Sequence, residues 1–150
     1  MLEQDYLMRM FIAFAQAIRE ALAGHAGHDN ALARHQLESS IGTAADMDPD
    51  VLLALAPESV ATVLSLGAMD DKVAEYIVHA LMLESGYLAE DGYGSKSALR
   101  RRQAEEVARA FDITYDPARL EALLNPLDAR SEEERIQLEA QYQSDVSDNG

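Results

Sequence analysis

Apolar residues recur along most of this chain at three- and four-residue intervals, the spacing that lines one face of an α-helix. Leu7, Met10, Phe11, Phe14, Ile18 and Leu22 form the clearest stripe and predict a helix from about Gln4 to Ala23, with Gly24 and Gly27 breaking it. Met8 and Ile12 lie beside that stripe. The apolar arc is therefore wide, as it is when a helix is covered on two sides or by a second subunit. Tyr6, Met10, Phe11, Phe14 and Ile18 are on these grounds the candidate interaction residues, and a homodimer is the expected assembly.

Leu32, His35, Leu37 and Ile41 give a partial stripe between Asp29 and Ala45, which Gly42 is expected to end. Asp48-Pro49 has the order of an N-cap and a first helical residue, and Val51, Leu52 and Leu55 follow as its apolar face. Pro57 opens a further helix through Val60, Val63, Leu64 and Leu66, with Gly67 as the expected left-handed residue after it. A longer helix starts near Asp70 or Asp71, carries Val73, Tyr76, Ile77, Ala80, Leu81 and Leu88, and passes Gly86. Asp91 to Ser95 has the composition of a turn. The next helix, about Lys96 to Phe111, turns Leu99, Gln103, Ala104, Val107 and Phe111 inward, with a serine as its N-cap. Asp116-Pro117 repeats the capping signal ahead of Leu120, Leu123 and Leu124. Ile113-Thr114-Tyr115 is β-prone but too short to pair.

The pattern predicts an all-α fold of six to seven helices in antiparallel hairpins, either a bundle or tetratricopeptide-like pairs. The small residues Ala80, Gly86, Ala98, Ala104 and Ala108 carry the tetratricopeptide-like character, although no 34-residue self-similarity repeats along the chain. Residues 1–127 read as the helical domain. Residues 128–150 read as an acidic, partly helical or disordered tail, with Ser131 and Glu134 as a possible capping box.

Composition narrows the function classes. Twelve Lys and Arg against 27 Asp and Glu give a net charge of -15, a surface that repels phosphate backbones and anionic lipid. Neither nucleic acid nor membrane is an expected partner; a basic protein docking to the acidic tail is one further possibility. Arg9, Arg19 and Glu20 interrupt the first apolar stretch, which therefore does not read as a membrane span, and no basic leader precedes it. A cytoplasmic protein is the expectation. The chain has no cysteine, which removes thiolate metal sites, cysteine nucleophiles and disulfides.

Candidate chemistry is sparse. His25, His28 and His35, with Asp29 beside them, are the only cluster of metal-ligand type. Their spacing matches no metal motif and the glycines around them argue for a polar loop, so neither metal nor cofactor is assigned. His79 reads as a residue at the core boundary. Asp46 to Asp50 resembles the opening of a calcium loop but has Val51 and Pro57 where glycine and glutamate are required. Gly92 to Ser97 has the letters of a phosphate loop without its spacing. Arg100, Arg101 and Arg102 diverge around a helix and read as salt-bridged surface. No carboxylate pair and no Ser-His-Asp set stands out, and an enzyme is not indicated.

The opening Glu3-Gln4-Asp5-Tyr6-Leu7-Met8-Arg9 resembles a family of small helical bacterial proteins of unknown function that begin Gln-Asp-Tyr-(Ile/Leu)-x-Arg. The resemblance implies continuing helical hairpins and a shared structural role for Asp5, Tyr6 and Arg9 at the helix start. It implies no activity. The leading expectation is a non-enzymatic interaction or self-association module, and the alternative is a small-molecule or metal-binding protein with a site between helices.

Overall fold

The computed structural model describes residues 2–127, and these residues form an all-α structure of seven helices without a strand. They are α1 (Leu2–Ala26), α2 (Asn30–Ala45), α3 (Pro49–Leu53), α4 (Pro57–Leu66), α5 (Asp71–Glu90), α6 (Gly94–Ala110) and α7 (Leu120–Leu124), with a single 3-10 turn at Pro117–Arg119. The acidic tail and its possible capping box lie outside the described residues.

Side-chain pairs fix the helix directions. Phe14 stacks on Tyr76, and farther along both helices His25 stacks on Tyr87; α1 and α5 therefore run the same way. Between them α2 runs in reverse, since Asn30 at its start bonds Glu90 and Asp91 at the end of α5. Helix α6 doubles back on α5, with Ser97 donating to the Ser85 carbonyl and Ser85 to that of Ser97. Helix α4 packs on the other side of α6, and α7 closes against α1. The consecutive pairs α1–α2 and α5–α6 are thus antiparallel hairpins, built from one core in which Ile18, Leu37, Ile41, Leu52, Tyr76, Ile77, Leu81 and Val107 are fully buried.

Capping holds at the N-termini as the sequence requires. The carboxylates of Asp29, Asp48, Asp70 and Asp116 accept backbone N–H groups of the turns that follow them. The expected serine cap on α6 is absent: Tyr93 precedes Gly94, and no side chain caps that end.

The C-termini depart from the sequence reading. Helices α1, α2, α4, α5 and α6 each end in the same turn. A residue with positive φ is followed by one whose N–H reaches back five positions: Asp29 to Gly24, Met47 to Gly42, Met69 to Leu64, Tyr93 to Leu88 and Ile113 to Ala108. The left-handed residues are His28, Asp46, Ala68, Gly92 and Asp112. Only Gly92 is a glycine. Gly67 has φ -77 and sits one residue before the left-handed position. Gly24 and Gly42 lie within helices, because each serves packing rather than termination. Gly24 faces Ala33 of α2, and Gly42 faces Pro49.

Candidate functional site

Two features stand out once the helices are assembled: an open groove along α1 and a buried polar cluster beneath α2.

The groove exists because facing side chains are short. Ala13 and Ala17 on α1 stand opposite Ser39, Ser40 and Thr43 on α2 and leave a trough of about 630 Å³ over Phe14. Ser40 and Thr43 turn their hydroxyls onto their own helix, donating to the Leu37 and Ser39 carbonyls, so the trough loses donors it would otherwise present. The amide oxygen of Gln36, which lines the trough, is buried without a donor. A second concavity of about 440 Å³ lies between α1, the end of α2 and the Gly67–Asp70 connection. Tyr6, Met10 and Ala44 line both, so the two concavities adjoin and together follow α1 from Tyr6 to Glu20. Tyr6 is 61% exposed at their junction. Arg9, Glu20 and His35 stand on the first part of the trough, and Asp46 and Asp70 on the second.

Of the five candidate interaction residues, Tyr6, Met10 and Phe14 line this trough, Phe14 only as its floor. Phe14 and Ile18, only 4% and 0% exposed, belong to the chain's own core. Phe14 stacks on Tyr76 with ring centroids 5.3 Å apart, and Phe11 stacks on the same ring at 5.9 Å. The wide arc read from the sequence is therefore satisfied mostly within the monomer: α5 covers one side, α2 and α7 the flanks. Ala13 and Ala17 are the trough residues that hydropathy periodicity did not single out, since alanine marks neither a core nor a surface.

The histidines are dispersed. His25 bonds the Glu90 carboxylate at 2.9 Å and lies flat on Tyr87. His28 is the left-handed residue after α1, and His35 stands on the rim of the trough. Among the described residues no three His, Asp or Glu side chains converge as a metal site. His79 is buried against Tyr115 rather than at the boundary, and burial lowers its pKa.

The polar cluster overturns the reading of both the arginine run and the carboxylates. Arg100 points inward while Arg101 and Arg102 remain exposed. Its Nε donates to Glu84 at 2.9 Å, and its terminal nitrogen donates to the Leu53 carbonyl and to the Gln103 side chain. Gln103 in turn donates to the Leu53 and Leu55 carbonyls, so α6 holds the otherwise orphaned end of α3. Glu84 is 1% exposed, and its second oxygen, Oε2, finds no donor among these partners. Burial, opposed by Arg100 and reinforced by Glu38 of α2, pushes its pKa up to about 8. The signal was present in the sequence: Glu84 is three and four residues after Leu81 and Ala80 and four before Leu88, on the buried face.

Comparison with protein-family models, curated proteins and solved structures finds no match to this chain. Among the described residues, no helix is long and apolar enough to cross a membrane.

Proposed function

We propose that the chain is a protein–protein interaction module that accepts an amphipathic helix of a partner in the trough along α1. The observation that carries this reading is the adjacency of the two concavities, which share Tyr6, Met10 and Ala44 along α1. A trough walled by two helices and floored by an aromatic ring suits a helix anchored by apolar residues at i, i+3, i+4 and i+7. Charge selects the partner's chemistry. A net charge of -15 opposes a second copy at low salt and favours a helix with basic flanks. Glu20 at one end of the trough and Asp46 and Asp70 at the other supply three local counter-charges, against the one positive charge of Arg9 between them.

The test uses the full chain and a fluorescent amphipathic peptide with leucine on one face and lysine on the other. Ala13→Gln combined with Ala17→Gln puts two bulky, neutral, polar side chains into the trough. Binding that weakens about tenfold in this variant (about 1.4 kcal/mol), but not in the surface control Ala23→Gln, supports the reading. Equal binding by all three proteins assigns the peptide to non-specific charge attraction. A concentration-dependent dimer that the same double substitution dissociates replaces the basic helix with a second copy.

A further inference from the structure

We propose that the partner helix carries one acidic residue facing Arg9 and, about eleven residues away on the same face, a basic residue facing Glu20. This rests on the interaction reading above and specifies the charge code by which the trough chooses among helices.

Arg9 is out of place in the chain's own charge pattern. Acidic side chains number 27 and basic ones 12, so a basic side chain on the surface readily meets a carboxylate of its own chain. Arg34, Arg100, Arg109 and Arg119 each do. Asp5 stands one turn before Arg9, at the spacing of a helical ion pair, yet among the described residues Arg9 forms no ion pair. Arg9 is exposed and lines the first concavity instead. Among the described residues it is the only lysine or arginine on either concavity.

Glu20 supplies the second fixed point. Eleven positions separate it from Arg9, which is three turns of α1 and about 16 Å along its axis, so both side chains leave α1 on the same side. Ala13 and Ala17 stand between them and are short enough to let a second helix lie close. A helix packed alongside at a crossing angle of about 20° keeps nearly the same axial spacing, because its rise per residue is the same. Its acid and its base are then three turns apart, with apolar residues between them over the alanines. The two charges also set the register, since a slip of one turn, about 5.4 Å, unpairs both.

Long-range attraction and local fit make different demands. A net charge of -15 draws any basic helix to this surface and does not discriminate among them. Once a helix covers the trough, the Arg9 guanidinium loses water on one side. A lysine opposite it adds a like charge, and an apolar residue leaves its N–H groups without an acceptor. A carboxylate accepts from those N–H groups and replaces the lost hydration. Glu20, Asp46 and Asp70 keep the remainder of the partner basic. The single acid thus acts as a filter, penalising basic helices that lack it.

Two fluorescent peptides of the leucine–lysine type, compared on the full chain at about pH 8, above the ordinary histidine range, test this. In the first, one lysine bordering the leucine face is replaced by glutamate, three turns from a retained border lysine. The second is its isomer, with the glutamate in the middle of the lysine face, so that net charge and composition are the same. Wild type is expected to bind the first peptide about three- to fivefold more tightly than the isomer, the scale of a partly exposed ion pair. Arg9→Gln should level the two, and Arg9→Glu should reverse the preference. Arg9 is exposed, so both variants are expected to keep the wild-type circular dichroism spectrum. Equal binding of the two isomers by wild type overturns the proposal, as does a preference that Arg9→Gln leaves intact. If Ala13→Gln with Ala17→Gln still weakens binding in either case, the trough remains the docking site and only the charge code falls. Binding indifferent to those alanine substitutions removes the interaction reading, and the charge code with it.

Discussion

Gly42, inside α2, lies so close to Pro49 at the start of α3 that a β-carbon on it would stand 2.7 Å from the proline Cδ and 2.8 Å from the Met47 carbonyl oxygen. Both neighbours are rigid, one a ring carbon and the other backbone. An added methyl group must therefore push α3 away from α2. Gly42→Ala gains helix propensity worth about 1 kcal/mol and loses more through overpacking, which costs about 1–3 kcal/mol in closed sites. The net expectation is a less stable protein, seen as a lower urea midpoint with an unchanged slope. A stabilised variant would show that the α2–α3 corner yields freely.

Ala68 offers the opposite case. It ends α4 with φ 53, a conformation strained by its β-carbon, while glycine stands one place earlier with an ordinary φ. Ala68→Gly should stabilise the fold by about 1 kcal/mol, and Gly67→Ala should be nearly neutral or slightly favourable. Thermal denaturation of the two single variants decides this. If Gly67→Ala proves the more damaging change, the left-handed position has been misplaced by one residue.

These two sites explain what sequence could and could not disclose. The start of α3, α4 or α5 is written in single residues, because an Asp-Pro pair, a lone proline or a capping Asp70 acts within one turn. The ends are not so written. Glycine at 24 and 42 is present for close approach, so reading it as a stop misplaced those ends, whereas α4 does end at Leu66 and Gly67 only stands one place before the left-handed Ala68. The same limit applies to the site. Met10 is visible as part of a stripe, but Phe14 and Ile18 share that stripe and face inward. Only tertiary packing separates those roles. Arg100 looked like its two neighbours because charge type does not reveal direction; its offset of three from Gln103 and four from Ala104 did place it on the buried face.

Arg100 should accordingly differ from Arg101 and Arg102 on substitution. Arg100→Met removes the donor to Glu84 Oε1 and one of the two donors to the Leu53 carbonyl, and leaving a buried acceptor without its donor costs about 1–3 kcal/mol. Arg101→Met and Arg102→Met, on the exposed face, should each change stability by less than about 0.5 kcal/mol. Urea unfolding near neutral pH is the measurement. Three similar values would return the run to the surface role first read from the sequence.

Tyr76 joins α5 to α7 through a hydrogen bond from its hydroxyl to the Leu123 carbonyl, across a gap of 47 residues. Burial and the neighbouring Glu75 carboxylate push its pKa up to about 12, so the phenol remains a donor over the accessible range. Tyr76→Phe keeps the stacking on Phe11 and Phe14 and deletes only the hydroxyl. The expected loss is about 1 kcal/mol, concentrated in faster amide exchange of α7. Uniform loss across all helices would instead mean that the ring stack had been disturbed.

His79 supplies a pH dependence opposite in sign to that of Glu84. Burial against Tyr115 holds its pKa below the ordinary histidine value, so the unfolded chain binds a proton more readily than the folded one. Stability contributed by neutral His79 is therefore intact above about pH 6.5 and declines as the pH falls toward its depressed folded value. Glu84 gains stability over the same acidic interval, so the total curve conceals both effects. The difference between wild type and His79→Gln isolates one of them. Glutamine does not titrate, and the variant should approach or overtake wild type in relative stability as the pH is lowered from about 7.5 to about 5.5. A difference that stays constant across that interval would mean that His79 protonates as easily in the folded protein as in the open chain, and hence that its contact with Tyr115 leaves room for water.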